Sequence, residues 1–252
     1  MKYNFRVLVC FLVLVLAACQ SAPEATPPPE EPTAVPTSTP EPTSTPIPPT
    51  ATVQPPSMLS AYLSDVQVTS IDTFETADGW STYNAQTGSL SDGVYVITGQ
   101  PDWQSGLARN ATFTEGQGVM LEFKFDRGTE FEFILDAGEW QTDSYRRFGV
   151  FGFGYPQANL TQGVNAIGNK NLLGSFGPRP DTWYNFMAGI GFDGNFIALI
   201  WDPSDTSQVV IYKETINEKW DNLTWGFTAK AAKSGMTLHL DNFAVISFSA
   251  IK

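Results

Sequence analysis

Between residues 121 and 135 the chain alternates with period two. Leu121, Phe123 and Phe125 are interleaved with Glu122, Lys124 and Asp126. After Arg127-Gly128-Thr129, Phe131, Phe133 and Leu135 are interleaved with Glu130, Glu132 and Ile134. This is the pattern of half-buried β-strands. Read as a hairpin with a three-residue loop, it sets Phe125 opposite Phe131, Phe123 opposite Phe133 and Leu121 opposite Leu135, and pairs Lys124 with Glu132 on the polar face. A slip of one residue would oppose apolar to polar throughout, so the register is specified. Further strands are predicted over 94–98, 107–113, 147–154, 183–192, 195–201, 208–214, 223–230 and 237–247. Phe192-Asp193-Gly194-Asn195 reads as a hairpin turn with Asp-Gly at its centre. In the strand that follows, Ile197, Leu199 and Trp201 face one way and Phe196, Ala198 and Ile200 the other, which predicts a strand covered on both sides. Residues 155–181, rich in Gly, Asn and Pro, read as a long connection. About ten antiparallel strands without a convincing helical period give an all-β fold, a two-sheet antiparallel jelly-roll sandwich.

The other patterned segment is at the start. Lys2 and Arg6 precede an apolar run over 7–16, too short for a bilayer, which takes about 20 apolar residues, and suited to the h-region of an export signal. Residues 20–57 are rich in Pro and Thr, repeat Pro-Thr-Ser-Thr-Pro at 36–40 and 42–46, and contain no aromatic residue. Such a stretch cannot bury enough apolar surface to order itself. It reads as a disordered, polyproline-biased linker that spans on the order of 100 Å when extended. Residues 58–68 lead into the domain and are expected to include a partial helix. The domains are therefore 1–18 signal, 19–57 linker and 58–252 sandwich.

Composition narrows the function. The chain has two cysteines, Cys10 inside the apolar run and Cys19 just after it, so the sandwich has no thiol for a disulfide or a thiolate metal site. The formal charge is −12, and loss of Lys2 and Arg6 with the signal makes it −14. That excludes nucleic acid as an expected partner, because phosphate neutralisation dominates such binding, and it excludes a polybasic membrane patch.

Leu16-Ala17-Ala18-Cys19 resembles the lipobox of bacterial lipoproteins. The resemblance implies cleavage before Cys19, acylation of its thiol, and a chain anchored by lipid on the outer side of a bacterial membrane, at the cell surface or outer membrane. Two or three acyl chains hold stably where one binds reversibly.

A second resemblance lies in the sandwich. Asp72-Thr73-Phe74-Glu75, Asp78-Gly79-Trp80 and Ser91-Asp92-Gly93-Val94-Tyr95-Val96 are similar to the opening of concanavalin A-like jelly rolls, the superfamily of laminin-G modules and family 16 glucanases. Trp183-Tyr184-Asn185-Phe186, the Asp193-Gly194 turn, Ile200-Trp201-Asp202 and Leu238-His239-Leu240-Asp241-Asn242-Phe243-Ala244-Val245 are similar to the closing half. The galactose-binding-like jelly roll is the alternative. Either implies two antiparallel sheets, often with a glycan-binding surface, and neither fixes a function.

Four sets of residues carry candidate chemistry. Glu130, Glu132 and Asp136 share a strand face, as carboxylates do in family 16 glucanases, but Ile134 stands where that motif has its middle carboxylate, and a solvated face paired with Lys124 is the simpler reading. His239, the single histidine, has no cysteine or second histidine to work with and reads as structural. Asp72, Glu75, Asp241 and Asn242 could together offer oxygens to a structural calcium, the only cofactor considered. Trp103 and Trp140 sit in predicted loops, with Tyr145, Arg146 and Arg147 close behind Trp140. Trp103, Trp140, Tyr145 and Arg147 are the expected glycan-binding residues, the rings stacking on sugar C–H faces and polar groups taking hydroxyls. The sequence thus favours non-covalent binding of extracellular or cell-wall carbohydrate. A glycoside hydrolase, a keto-disaccharide hydrolase-like enzyme and a structural or adhesive surface domain remain as alternatives.

Overall fold

The rings of Phe123 and Phe133 lie 5.1 Å apart, as do those of Phe123 and Phe131, and Phe125 and Phe131 are 5.0 Å apart. These contacts run between two sheets. A computed structural model describes residues 53–82, 88–138, 146–152, 156–162, 165–171, 173–174, 177–214, 224–233 and 235–252. The signal, Cys19 and nearly all of the linker lie outside them. The strands in chain order are β1 Leu63–Ser64, β2 Gln67–Asp72, β3 Trp80–Thr82, β4 Gly88–Ser91, β5 Val94–Thr98, β6 Ser105–Arg109, β7 Gln117–Phe125, β8 Glu130–Ala137 and β9 Arg146–Gly152. They continue as β10 Pro156–Gln162, β11 Asn165–Asn171, β12 Leu173–Gly174, β13 Tyr184–Ile190, β14 Phe196–Asp202, β15 Asp205–Glu214, β16 Trp225–Ala232, β17 Thr237–Ser247 and β18 Ala250–Ile251. Among the described residues, one sheet has seven strands in the order β11-β10-β9-β8-β16-β6-β3. The other has nine, in the order β12-β15-β14-β13-β7-β17-β5-β4 with β2 also on β17.

The alternation over 121–135 identifies the core-facing residues correctly and their partners incorrectly, and the outward-facing Glu132 and Ile134 are buried as well. β7 is flanked by β13 and β17, and β8 by β9 and β16, so the two strands belong to opposite sheets and do not form a hairpin. The connecting residues 126–129 form an arch. The Thr129 N–H donates to the Asp126 carbonyl at 3.0 Å, and Asp126 Oδ2 accepts from the Thr237 N–H at 3.1 Å and the Thr237 hydroxyl at 2.6 Å. Period-two patterning says which side chains face the core, and facing sheets satisfy it as well as neighbouring strands do. The expected Lys124–Glu132 pair is therefore absent: the two point out of opposite sides of the sandwich. Lys124 Nζ lies 5.3 Å from the centre of the Trp183 ring, and Glu132 pairs with Arg147.

The β13–β14 hairpin forms at the predicted place but with one more loop residue: the Gly191 N–H donates to the Asn195 carbonyl at 2.9 Å and the Gly194 N–H to the Gly191 carbonyl at 2.9 Å, so Phe192, Asp193 and Gly194 make the loop rather than Asp193-Gly194 alone. Ile190 is opposite Phe196, Gly194 has φ 73°, and Asp193 Oδ1 accepts the Asn195 N–H at 3.1 Å. β14 is covered on both faces. Phe196, Ala198 and Ile200 enter the core between the sheets, while Ile197, Leu199 and Trp201 face outward under the chain's entry segment. There the expected partial helix is one 3₁₀ turn, Ser57–Ala61, which places Leu59 (0% exposed) beside Leu63 (1%) against Met187, Trp201, Ile246 and Phe248. Pairing of β1 with β18 closes this strap.

Residues 155–181 are more regular than expected. β10 and β11 pair with each other and extend the seven-stranded sheet from β9, and β12 joins β15. Ala158 and Leu160 are the only alternating apolar residues in β10, too short a signal to read as a strand.

Leu63 fastens the strap, and Leu63→Ala should lower unfolding free energy by about 2–5 kcal/mol. Urea denaturation measures this, and a change within error would show that the strap is not part of the folding unit.

Candidate functional site

Because Phe131, Phe133 and Leu135 point inward, β8 must present Glu130, Glu132, Ile134 and Asp136 on the outer face of the seven-stranded sheet. The expectation that the three acidic residues share a face is met. On β16, Lys230 stands opposite Glu132, Thr228 opposite Ile134 and Gly226 opposite Asp136. On β9, Gly149 is opposite Ile134 and Arg147 opposite Asp136. β6 adds Gly106 opposite Lys230 and Ala108 opposite Thr228. Small residues thus flank the charged group on β16, on β6 and at Gly149, while Phe151 stands opposite Glu132 on β9. A Cβ built at Gly226 would make only ordinary contact with Asp136, 3.4 Å from its Oδ1, so the position leaves room for a small side chain.

The charges lie low in the sheet. Glu132 and Thr228 are each 5% exposed, so Glu132 is not on a solvated face. Its Oε1 accepts a hydrogen bond from the Arg147 guanidinium at 2.5 Å. Burial raises the Asp136 pKa, and nearby Arg147 and Lys230 oppose that rise. Burial also lowers the Lys230 pKa, reinforced by repulsion from Arg147 and opposed by Glu132 and Asp136. Two cations and two carboxylates compensate each other in a partly dehydrated environment, where hydrogen bonds are strong and an uncompensated charge is costly. Such a floor offers fixed donors and acceptors with no net formal charge. At the end of β8, Glu130 pairs with Lys233 at 2.6 Å.

Of the expected glycan-binding residues, Arg147 lies on this face. Trp103, half-buried, ends a 3₁₀ turn, Pro101–Trp103, that leads into β6 of the same sheet. Trp140 and Tyr145 lie outside the described residues, in the segment joining β8 to β9. The sequence reading missed Lys230, Thr228 and Gly226, although their alternation with Phe227, Ala229 and Ala231 is legible.

The other candidates lie elsewhere. His239 is on the outer face of the nine-stranded sheet, its Nε2 2.9 Å from Thr237 Oγ1, with its pKa lowered by burial and by Lys124 against the pull of Asp126 and Asp181. Asp72 and Phe243 are paired across β2 and β17, so the first and last parts of the sandwich meet as the calcium reading required. The Asp72 carboxylate is already engaged, however. Oδ2 accepts from Arg109 at 2.7 Å and from the Trp80 indole at 2.8 Å, and Oδ1 from the Phe74 N–H at 3.0 Å. Asp241 Oδ1 accepts from the Asn242 N–H at 2.7 Å. No group of three or more His, Cys, Asp or Glu side chains is arranged to hold a metal among the described residues.

No family model matches the chain, and no curated protein matches it. Solved structures do. A non-specific endo-β-1,3(4)-glucanase from family GH16 is 9% identical, with a TM-score of 0.56 over 74% of this chain and 93% of that one. An endo-β-1,3-glucanase from Pyrococcus furiosus is 11% identical, with a TM-score of 0.55 over 73% and 95%. The CBM2 module of the evolved Dit of Lactobacillus casei BL23 phage J-1 is 9% identical, with a TM-score of 0.52 over 75% and 98%. The fold is a concanavalin A-like jelly-roll sandwich. Likeness at this level of identity speaks for the fold alone.

The charged floor has a pH signature. A carboxyl whose folded pKa is raised contributes stability below its unfolded pKa that is lost as pH rises through the folded value. Asp136→Asn should therefore raise the melting temperature at pH 7 and leave it unchanged near pH 3. Arg147→Met should cost about 3–5 kcal/mol at pH 7, because it removes the guanidinium that bonds the buried Glu132 carboxylate. Thermal and urea unfolding at both pH values check this, and a destabilising Asp136→Asn at pH 7 would refute the assignment.

Proposed function

We propose that the sandwich binds neutral polysaccharide, without covalent chemistry, on the outer face of its seven-stranded sheet. One observation carries this reading: Glu132, Arg147, Lys230 and Asp136 form a charge-compensated group among Gly106, Gly149, Gly226 and Thr228. A neutral polyol exchanges hydrogen bonds with such a group at both its donors and its acceptors, whereas an ion would have to displace a partner already in place. On the β16 and β6 side of the group, small residues let a flat chain approach the backbone. Trp103, which leads into β6, would supply a stacking surface and Arg147 hydroxyl contacts, with Trp140 and Tyr145 proposed as further stacking rings. The glucanases and the CBM2 module that share this fold support a carbohydrate ligand.

Hydrolysis is the weaker reading. Paired carboxylates in glycosidases work as a nucleophile or base beside a general acid about 5–9.5 Å away. Here Glu132 is held by Arg147, and Ile134 occupies the position between the two carboxylates. The site is proposed to act from a lipid anchor at Cys19, with residues 20–57 as the stalk, on the outer side of a bacterial membrane.

Affinity electrophoresis of the full chain in laminarin, lichenan and an anionic control such as polygalacturonate tests the ligand. The neutral glucans should retard the protein, and Lys230→Met and Trp103→Ala should each weaken retardation about tenfold, as loss of a charged hydrogen bond or a stacking ring predicts. Absence of retardation by either glucan, or release of reducing ends that Glu132→Gln abolishes, would contradict the proposal. For the anchor, Cys19→Ser should move the product from the membrane fraction to the medium, and continued membrane association would contradict it.

A further inference from the structure

We infer that the arch end of the sandwich carries a second binding site, a pocket for a single hexose ring such as the terminal unit of a glycan. The cavity, about 170 Å³, lies between the arch, the segment around Pro178 and Pro180, and the residue that follows β16. It falls below the roughly 300 Å³ at which drug-sized pockets begin and suits one six-membered ring. Phe125, Pro178 and Pro180 give it apolar walls, and Glu130 and Lys233 stand at the pocket 2.6 Å apart.

This combination selects a chemistry. A pyranose has an apolar C–H face that packs on aromatic and proline rings, and vicinal hydroxyls on its edge. One hydroxyl donates to the Glu130 carboxylate while its neighbour accepts from the Lys233 ammonium. An ion of either sign would meet a pair that is already neutral. The pocket is also preformed. The Phe125 ring is fixed against Phe131 at 5.0 Å and Phe123 at 6.3 Å. The Asp181 N–H donates to the Phe125 carbonyl at 2.9 Å, the Arg179 N–H to the Tyr184 hydroxyl at 3.0 Å, and the Thr129 hydroxyl to the Thr237 carbonyl at 3.1 Å, so both walls are tied to the sheets. Lys233 and Asp181 have φ of 67° and 58°. Lys233 lines the pocket from this left-handed region, which fixes the backbone that carries its ammonium.

The inference goes beyond the proposed polysaccharide face, since it concerns a different cavity and a different ligand size. ¹⁵N-labelled full chain is titrated with the methyl glycosides of glucose, galactose, mannose and N-acetylglucosamine while amide shifts are followed. At least one glycoside should give saturable shifts centred on Gly128, Thr129 and Lys233. Lys233→Met and Glu130→Gln should each weaken that affinity about tenfold, and Thr228→Val, on the sheet face, should leave it unchanged. Lys233 is 56% exposed, so its replacement should not alter the melting temperature. Absence of saturable shifts with all four glycosides, shifts centred on Thr228 and Lys230, or full affinity in Lys233→Met would overturn the inference. None of these results depends on whether laminarin or lichenan binds.

Discussion

The structure depends on the phenylalanine contacts that cross from one sheet to the other. Phe123 on β7 meets Phe131 and Phe133 on β8, and Phe133 meets Phe186 at 4.4 Å, so the centre of the core is built from rings supplied alternately by the two sheets. Such pairs contribute about 0.5–1.5 kcal/mol each beyond the area they bury. They also decide direction. Once Phe131 and Phe133 are committed inward, Glu130, Glu132 and Asp136 have no choice but the outer face, and the arch at 126–129 determines that this face belongs to the seven-stranded sheet.

The polar group on that face follows from the same constraint. A carboxylate at 5% exposure has to be compensated, and Arg147 and Lys230 are the neighbours that the strand register brings within reach. Buried ion pairs contribute little net stability compared with apolar replacements. What this group provides is a set of donors and acceptors fixed in place before any ligand arrives, which lowers the ordering cost of binding. The opposite side is closed differently. The strap around Leu59 and Leu63 covers Ile197, Leu199 and Trp201, so the outer face of that part of the nine-stranded sheet is occupied by the chain itself.

Much of this was legible in the residues. β5 and β17 occupy the predicted positions, a hairpin forms around Asp193-Gly194 with Phe192 added to its loop, and the two-faced apolar run from Phe196 to Trp201 lies in an interior strand. The shared face of Glu130, Glu132 and Asp136 was legible for the same reason, since alternation is a local property. What could not be read locally was partner choice. Arg127-Gly128-Thr129 suits a hairpin and an arch alike, and only the competition of β13, β17, β9 and β16 for pairing decides between them. The ion pair of Glu132 with Arg147 rather than Lys124 follows from that decision. The engagement of Asp72 was not legible for a related reason: Asp72 and Arg109 are 37 residues apart in sequence, and the β3–β6 pairing that helps bring Arg109 to Asp72 has no local signature.

The arch is most directly tested by backbone nuclear Overhauser contacts in the isotopically labelled chain. Interstrand contacts are expected between Ile134 and Thr228 and between Phe133 and Ala229, with only side-chain ring contacts linking Phe123 to Phe133. Interstrand backbone contacts between Phe123 and Phe133 would mean that β7 and β8 form a hairpin, and the outer face proposed as the binding surface would not exist.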